Sequence, residues 1–166
     1  MTRRLLLSCA VAPVACWGKV YSVCDIIQRR QRLVNKVVVV RGILNTWDLD
    51  STLSSDHGRC RFASAPGHSG IELLAGPVVG GQFTNGDAKL FESLLRRTKR
   101  YERGFLIDLT VEGILRLSAR AQPGGESSRG FGHSGLLLAA IEPLSIVRAT
   151  VIRTLTSPGD VGVPEL

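Results

Sequence analysis

SVCDIIQRRQRLVNKVVVVRGIL, residues 22–44, joins an amphipathic pattern directly to a β-branched one, and that join decides the fold. Ser22 is placed to cap the first turn of a helix, and Asp25, three residues on, answers it near the positive end of the helix dipole. Val23, Ile26, Ile27, Leu33 and Val34 recur close to a period of 3.6, which leaves Gln28, Arg29, Gln31 and Arg32 for the opposite face. Burying five such side chains at roughly 1.5–3 kcal/mol each outweighs the modest helix propensity of the segment, so packing makes this helix. Asn35 and Lys36 supply the stop. Val37 to Val40 are four β-branched residues that fit a pleated surface, and Gly42 is expected to mark a bulge or sharp bend in the strand they begin.

The chain has 166 residues, 44% of them hydrophobic, enough for one domain with its own core and too few for two. Eighteen glycines against 5% aromatic residues favour short strands joined by turns over a helical bundle. Beyond residue 44 the pattern predicts a hairpin of Arg59–Ala63 with Gly70–Ala75, then a Gly-rich loop over 77–86. A second helix is predicted over 87–103, with Leu90, Phe91, Leu94 and Leu95 on its apolar side. Arg96, Arg97, Lys99, Arg100 and Arg103 load its C-terminal half, where positive charge complements the dipole. Residues 104–118 alternate, with Phe105, Ile107, Leu109 and Val111 on the better core face. After a long connection over 121–135, two last strands, 136–140 and 144–152, are expected to be broken near Pro143.

The start of the chain, MTRRLLLSCAVAPVACWGK, has the order of an export signal: Arg3 and Arg4, then an apolar stretch from Leu5 to Trp17 interrupted by Pro13. That stretch is shorter than the roughly 20 residues of a membrane span. Ala12, Ala15 and Gly18 are the candidate cleavage points. Val14, Ala15 and Cys16 approach a lipid-anchor signal, although Pro13 stands where an aliphatic residue belongs. The competing reading is an ordinary first element of a cytoplasmic protein. Residues 1–18 are therefore expected to be a signal segment, 19–156 a single domain and 157–166 a flexible tail. Removal of the signal would leave Cys24 and Cys60, an even pair without metal or redox spacing, which suits one disulfide in an oxidising compartment. In a reducing compartment the same two residues would be buried thiols.

The order of elements resembles a family of small, largely uncharacterised bacterial proteins, often exported, with an OB-fold-like barrel. Ser22, Val23, Cys24 and Asp25 match its helix start, Lys36 to Gly42 its first barrel strand, and Phe131, Gly132, His133 and Gly135 its FGHxG stretch. The basic helix around 90–103 departs from that pattern, as do Leu137 and Leu138, where an aromatic residue is more usual. The resemblance implies a small, five-stranded OB-fold-like barrel; joined to the patterns above, the expected fold is mostly β with two helices, one preceding the first barrel strand and one inserted basic helix. It implies an envelope location and no established activity.

Three functions compete. The first is a noncatalytic exported module that binds a protein or small ligand through barrel and loops, with Arg41, Phe62, Phe131 and His133 as candidate ligand-loop residues. The second is single-stranded nucleic-acid binding, which the net charge of +7 favours. Against it, Trp47, Phe62 and Phe83 are not interleaved with the basic runs 29–32 and 96–103. The third is a zinc-dependent enzyme using His57, Cys60, His68 and His133; the spacing matches no recognised zinc motif and would consume the disulfide cysteine. Neither PVVGGQ nor GFGHSG carries a phosphate-loop lysine, and Ser69 and Ser134 lack a nucleophile elbow. No catalytic residue, cofactor or resident metal is assigned.

Overall fold

In a computed structural model of the full chain, the described residues are 19–47, 51–55, 60, 70–74, 85–99, 103–118, 130–131 and 137–156. They form β1 (Val20–Ser22), α1 (Val23–Leu33), β2 (Val37–Asn45), β3 (Thr52–Ser54), β4 (Gly70–Leu73), α2 (Gly86–Lys99), β5 (Gly104–Leu117) and β6 (Ala139–Leu155). The sheet order is β1-β2-β3-β4-β6-β5, and β5 pairs back onto β2. Five strands, β2 to β6, thus close into a small barrel that fits the OB-like description, while β1 is an extra strand parallel to β2. The expected signal segment, Cys16 and the expected tail lie outside the described residues.

The first helix forms as its sequence dictates. Ser22 Oγ accepts a hydrogen bond from Asp25 N at 3.1 Å and Ser22 N donates to Asp25 Oδ2 at 3.3 Å, a complete capping box. Val23, Ile26 and Ile27 are buried, with Leu33 and Val34 half-buried at the frayed end. Asn35 takes the left-handed conformation at φ 59°, ending the helix, and its N–H donates to Leu115 O, so the stop is also the first tie to β5.

Gly42 makes no bulge. The pairing of β2 with β5 runs without a shift from Val37↔Ile114 to Asn45↔Leu106. The glycine is required instead by close approach, since a Cβ there would lie 2.8 Å from both Ser54 O and Val23 Cγ2. The bulges fall on β6, where Leu144, Val147 and Ile152 are each an extra residue against β5. Each adds local bend and twist, which lets the 17 residues of β6 wind around 14 of β5. Pro143 consequently does not break the strand: it pairs with Gly113 next to one bulge, so β6 is one strand from Ala139 to Leu155. Bulging also reverses the facing of the extra residues, and Leu144 and Ile152 are exposed.

The expected strand from Gly70 forms, next to a strand that was not expected. Gly70–Leu73 pairs antiparallel with β3, Thr52–Ser54; of the expected partner strand, residues 59–63, only Cys60 is among the described residues. A three-residue strand with one apolar residue, Leu53, carries too little periodicity to announce itself. The odd-numbered residues of β5 face the core as expected: Phe105, Ile107, Leu109, Val111 and Leu115 are buried.

The second helix spans Gly86–Lys99 and joins the third barrel strand to the fourth, packing into the barrel instead of standing off it. Ala88, Phe91, Leu94 and Leu95 belong to the core, whereas Leu90 is exposed. Asn85 caps the helix through Oδ1, which accepts from Ala88 N at 2.7 Å, and its Nδ2 donates to Ile146 O at 2.6 Å. Asp87 Oδ1 accepts from Ala149 N at 3.1 Å. The start of α2 thereby supplies partners for backbone groups of β6.

Candidate functional site

Along β2 Val37, Val39, Arg41 and Ile43 alternate with buried residues, and on this outer wall Arg41 lies opposite Thr110, two residues along from the pair Ile43↔Asp108. Its guanidinium grips Asp108 with two bonds, Nε to Oδ1 at 2.9 Å and Nη2 to Oδ2 at 2.6 Å. The pair forms one wall of a cleft of about 280 Å³, whose other wall is β1 and the start of α1: Tyr21, Ser22 and Asp25. Arg41 is 59% exposed and Asp108 15%, so the carboxylate anchors the guanidinium while leaving it in solvent. The Ser22 hydroxyl, then the Ser22 backbone N–H, and the charges of Arg29 and Lys19 hold the Asp25 carboxyl below its ordinary value of 3.8, against a smaller opposing effect of burial. At the rim, Lys19 Nζ lies 5.4 Å from the centre of the Tyr21 ring. The cleft therefore carries fixed charges of both signs beside an aromatic ring, a lining suited to polar ligands that present opposite charges close together.

A disulfide between Cys24 and Cys60, with Cα atoms 5.2 Å apart, fastens this region. It joins the first turn of α1 to the segment between β3 and β4, across 36 positions of sequence. The helix start that walls the cleft is thus held by its capping box, by the Val23–Gly42 contact and by a covalent bond.

A second cluster gathers at the end of the barrel where β2 finishes and β5 begins. Thr46 Oγ1 lies 2.8 Å from Thr98 Oγ1 and accepts from Phe105 N at 2.9 Å, and Thr98 Oγ1 also reaches Arg103 O at 3.1 Å. These bonds clamp the turn after β2 to the C-terminal end of α2. Trp47 lies on Gly104, where any Cβ would collide with the indole ring. Arg97 sits over the Phe105 ring at 5.4 Å, and Arg153 pairs in register with Leu106.

Of the residues the sequence nominated, Arg41 lies on a strand and not in a loop, on the wall of the cleft. Phe131 forms an isolated bridge with Leu137 and is half-buried just before β6. Phe62, Phe83, His57, His68 and His133 lie outside the described residues. Cys60 is disulfide-bonded and so is not available to zinc, which removes the thiolate from the four-residue metal set. Among the described residues no three His, Cys, Asp or Glu side chains are grouped to hold a metal ion, and no helix is long and apolar enough to cross a membrane. Asp108 was missed by sequence reasoning. Its one signal is a carboxylate in the outward-facing register of β5, shared with Thr110, Glu112 and Arg116, and that does not identify a partner 67 residues away.

No protein-family model matches the chain, nor does any curated protein or solved structure.

Proposed function

We propose that this protein is a noncatalytic binding module that works in an oxidising, exported location and takes a small polar ligand in the cleft between β1, α1 and the outer wall of the barrel. The observation that carries the reading is the bidentate Arg41–Asp108 pair, which presents a guanidinium in a fixed direction inside an open cleft. Pre-orientation of this kind reduces the ordering cost of binding. The Cys24–Cys60 bond supports the compartment, because disulfides persist where thiols are not kept reduced, and the signal-like order of residues 1–18 agrees with it.

Amide NMR of the full chain titrated with a charge-diverse set of small zwitterions tests the ligand site. Shift changes centred on Ser22, Arg41 and Asp108 that vanish in Arg41→Gln are expected; a set that leaves these amides unmoved refutes it. Fractionation of a tagged full-length chain, with intact mass before and after reduction, tests the compartment. A reduced product confined to the cytosol would count against export.

A further inference from the structure

We propose that Asn85–Gly86 is a self-modification site whose reaction is gated by the docking of α2 on β6. The inference concerns the start of α2 and does not rest on the ligand reading given above. Of the three asparagines in the chain, only Asn85 is followed by glycine. The backbone nitrogen after an asparagine attacks the side-chain amide carbon most readily when it belongs to glycine, which has no Cβ to hinder the approach. Gly86 N bonds to Asn85 Cγ, the Cγ–Nδ2 bond breaks, and Nδ2 leaves as ammonia with the proton of Gly86 N. Water then opens the five-membered imide that results. Addition at Cγ gives aspartate; addition at the main-chain carbonyl carbon gives isoaspartate, with Gly86 joined through the former side chain.

Two observations place this chemistry here. The first is a glycine that the fold does not need. Asn85 and Gly86 are exposed, a Cβ on Gly86 would have nothing within 4 Å, and its backbone is not left-handed. Alanine is the better helix former, so space and conformation leave this glycine unexplained while the cyclisation uses it. The second is the hold on the amide. Oδ1 accepts from Ala88 N at 2.7 Å and Nδ2 donates to Ile146 O at 2.6 Å, so both ends of the group that must turn toward Gly86 N are fixed. Attack requires a near-attack geometry, and the docked side chain reaches it only by giving up these bonds. Asp87, whose Oδ1 accepts from Ala149 N at 3.1 Å, is the second tie of the same turn to β6. Undocking of this turn thus permits the reaction, and the product opposes redocking. Aspartate at position 85 still accepts from Ala88 N, but it sets a carboxylate oxygen against Ile146 O where a donor stood. Isoaspartate lengthens the backbone at the cap. The change is one-way, so it records the accumulated opening of α2 from β6.

The full chain is incubated at neutral pH, folded and in concentrated urea, and conversion at residue 85 is followed by peptide mass and by enzymatic methylation of isoaspartate. In urea both acids are expected at this residue. Folded, conversion is expected to be at least about tenfold slower, because the opening of two hydrogen bonds precedes attack. The ratio of folded to urea rates is expected to match, within about threefold, the opening constant read from hydrogen exchange of the Ala88 amide. Gly86→Ala, which has room for its methyl group, is expected to slow conversion in urea at least about tenfold. Asp87→Ala is expected to raise the folded rate at least about threefold and to leave the urea rate within about twofold. Absence of conversion in urea, or a rate there that Gly86→Ala leaves unchanged, overturns the site. Folded conversion as fast as in urea, or a rate ratio that departs from the Ala88 opening constant, overturns the gating, and neither result depends on a variant that folds. Arg41→Gln is expected to leave every rate unchanged, so this site and the cleft succeed or fail separately.

Discussion

Val23, the first residue of α1, rests on Gly42 in the middle of β2, and the space between them is too small for a methyl group. A Cβ at position 42 would lie 2.8 Å from Val23 Cγ2 and from the carbonyl oxygen of Ser54. Helix, first barrel strand and second barrel strand therefore meet at one point with no side chain between them. Gly42→Ala is expected to destabilise the protein by about 1–3 kcal/mol through overpacking. Urea denaturation checks it, and a midpoint at or above the wild-type value would mean that α1 can lift off the barrel without cost.

The capping box gives a pH signature. Because the Asp25 carboxyl is held below 3.8 when folded, the folded state favours its charged form. The stability this provides is complete above the unfolded value of about 4 and is lost as the pH falls through the lower folded value. The stability difference between wild type and Asp25→Asn should accordingly shrink as the pH falls below about 4. Ser22→Ala, which removes the hydroxyl side of the box, is expected to cost about 1 kcal/mol at neutral pH.

Asn85 carries two roles where Ser22 carries one. It caps α2 and also donates to Ile146 O in β6. Asn85→Ala is expected to lose about 1 kcal/mol for the cap and a further 1–2 kcal/mol for the strand carbonyl left without its donor. Hydrogen exchange should then show faster opening around Ile146 and Ala149, with α1 unaffected.

Removing the disulfide by Cys24→Ser with Cys60→Ser is expected to cost about 2–4 kcal/mol, as usual for a loop of this size. The barrel strands should persist in the far-ultraviolet spectrum, because strand pairing from β2 round to β5 closes the barrel without the covalent tie. Collapse of that spectrum at room temperature would show that the covalent tie, and not packing, holds α1 in place.

The Arg41–Asp108 pair should contribute little to stability, since the arginine is well exposed. A double-mutant cycle with Arg41→Gln and Asp108→Asn is expected to give a coupling of about 0.2–1 kcal/mol that weakens with salt. A much larger coupling would reassign the pair from ligand presentation to structure.

Elements with a strong local period were legible before any coordinates. Ser22 and Asp25 announce the first helix, Val37 to Val40 the first barrel strand, and the odd-numbered residues from Phe105 to Val111 the inner face of β5. Thr52–Ser54 was not legible, because three residues with one apolar side chain have no period to read. The strand through Pro143 was misread because the chemistry that tolerates proline there, an adjacent bulge and a facing glycine, belongs to the pairing and not to the residue. Gly42 was recognised as special for the wrong reason: its neighbours in space are Val23 and Ser54, and composition gives no account of either contact.

By itself, the sequence determined which segments become helix or strand and which faces turn inward, since these follow from side-chain periodicity and capping within a few residues. Only the tertiary structure decided that Arg41 meets Asp108, that Cys24 meets Cys60, and that Trp47 rests on Gly104. Those encounters are set by barrel closure and strand register, which depend on pairing between distant segments. Local pattern specifies the segments; it does not specify which of them become neighbours.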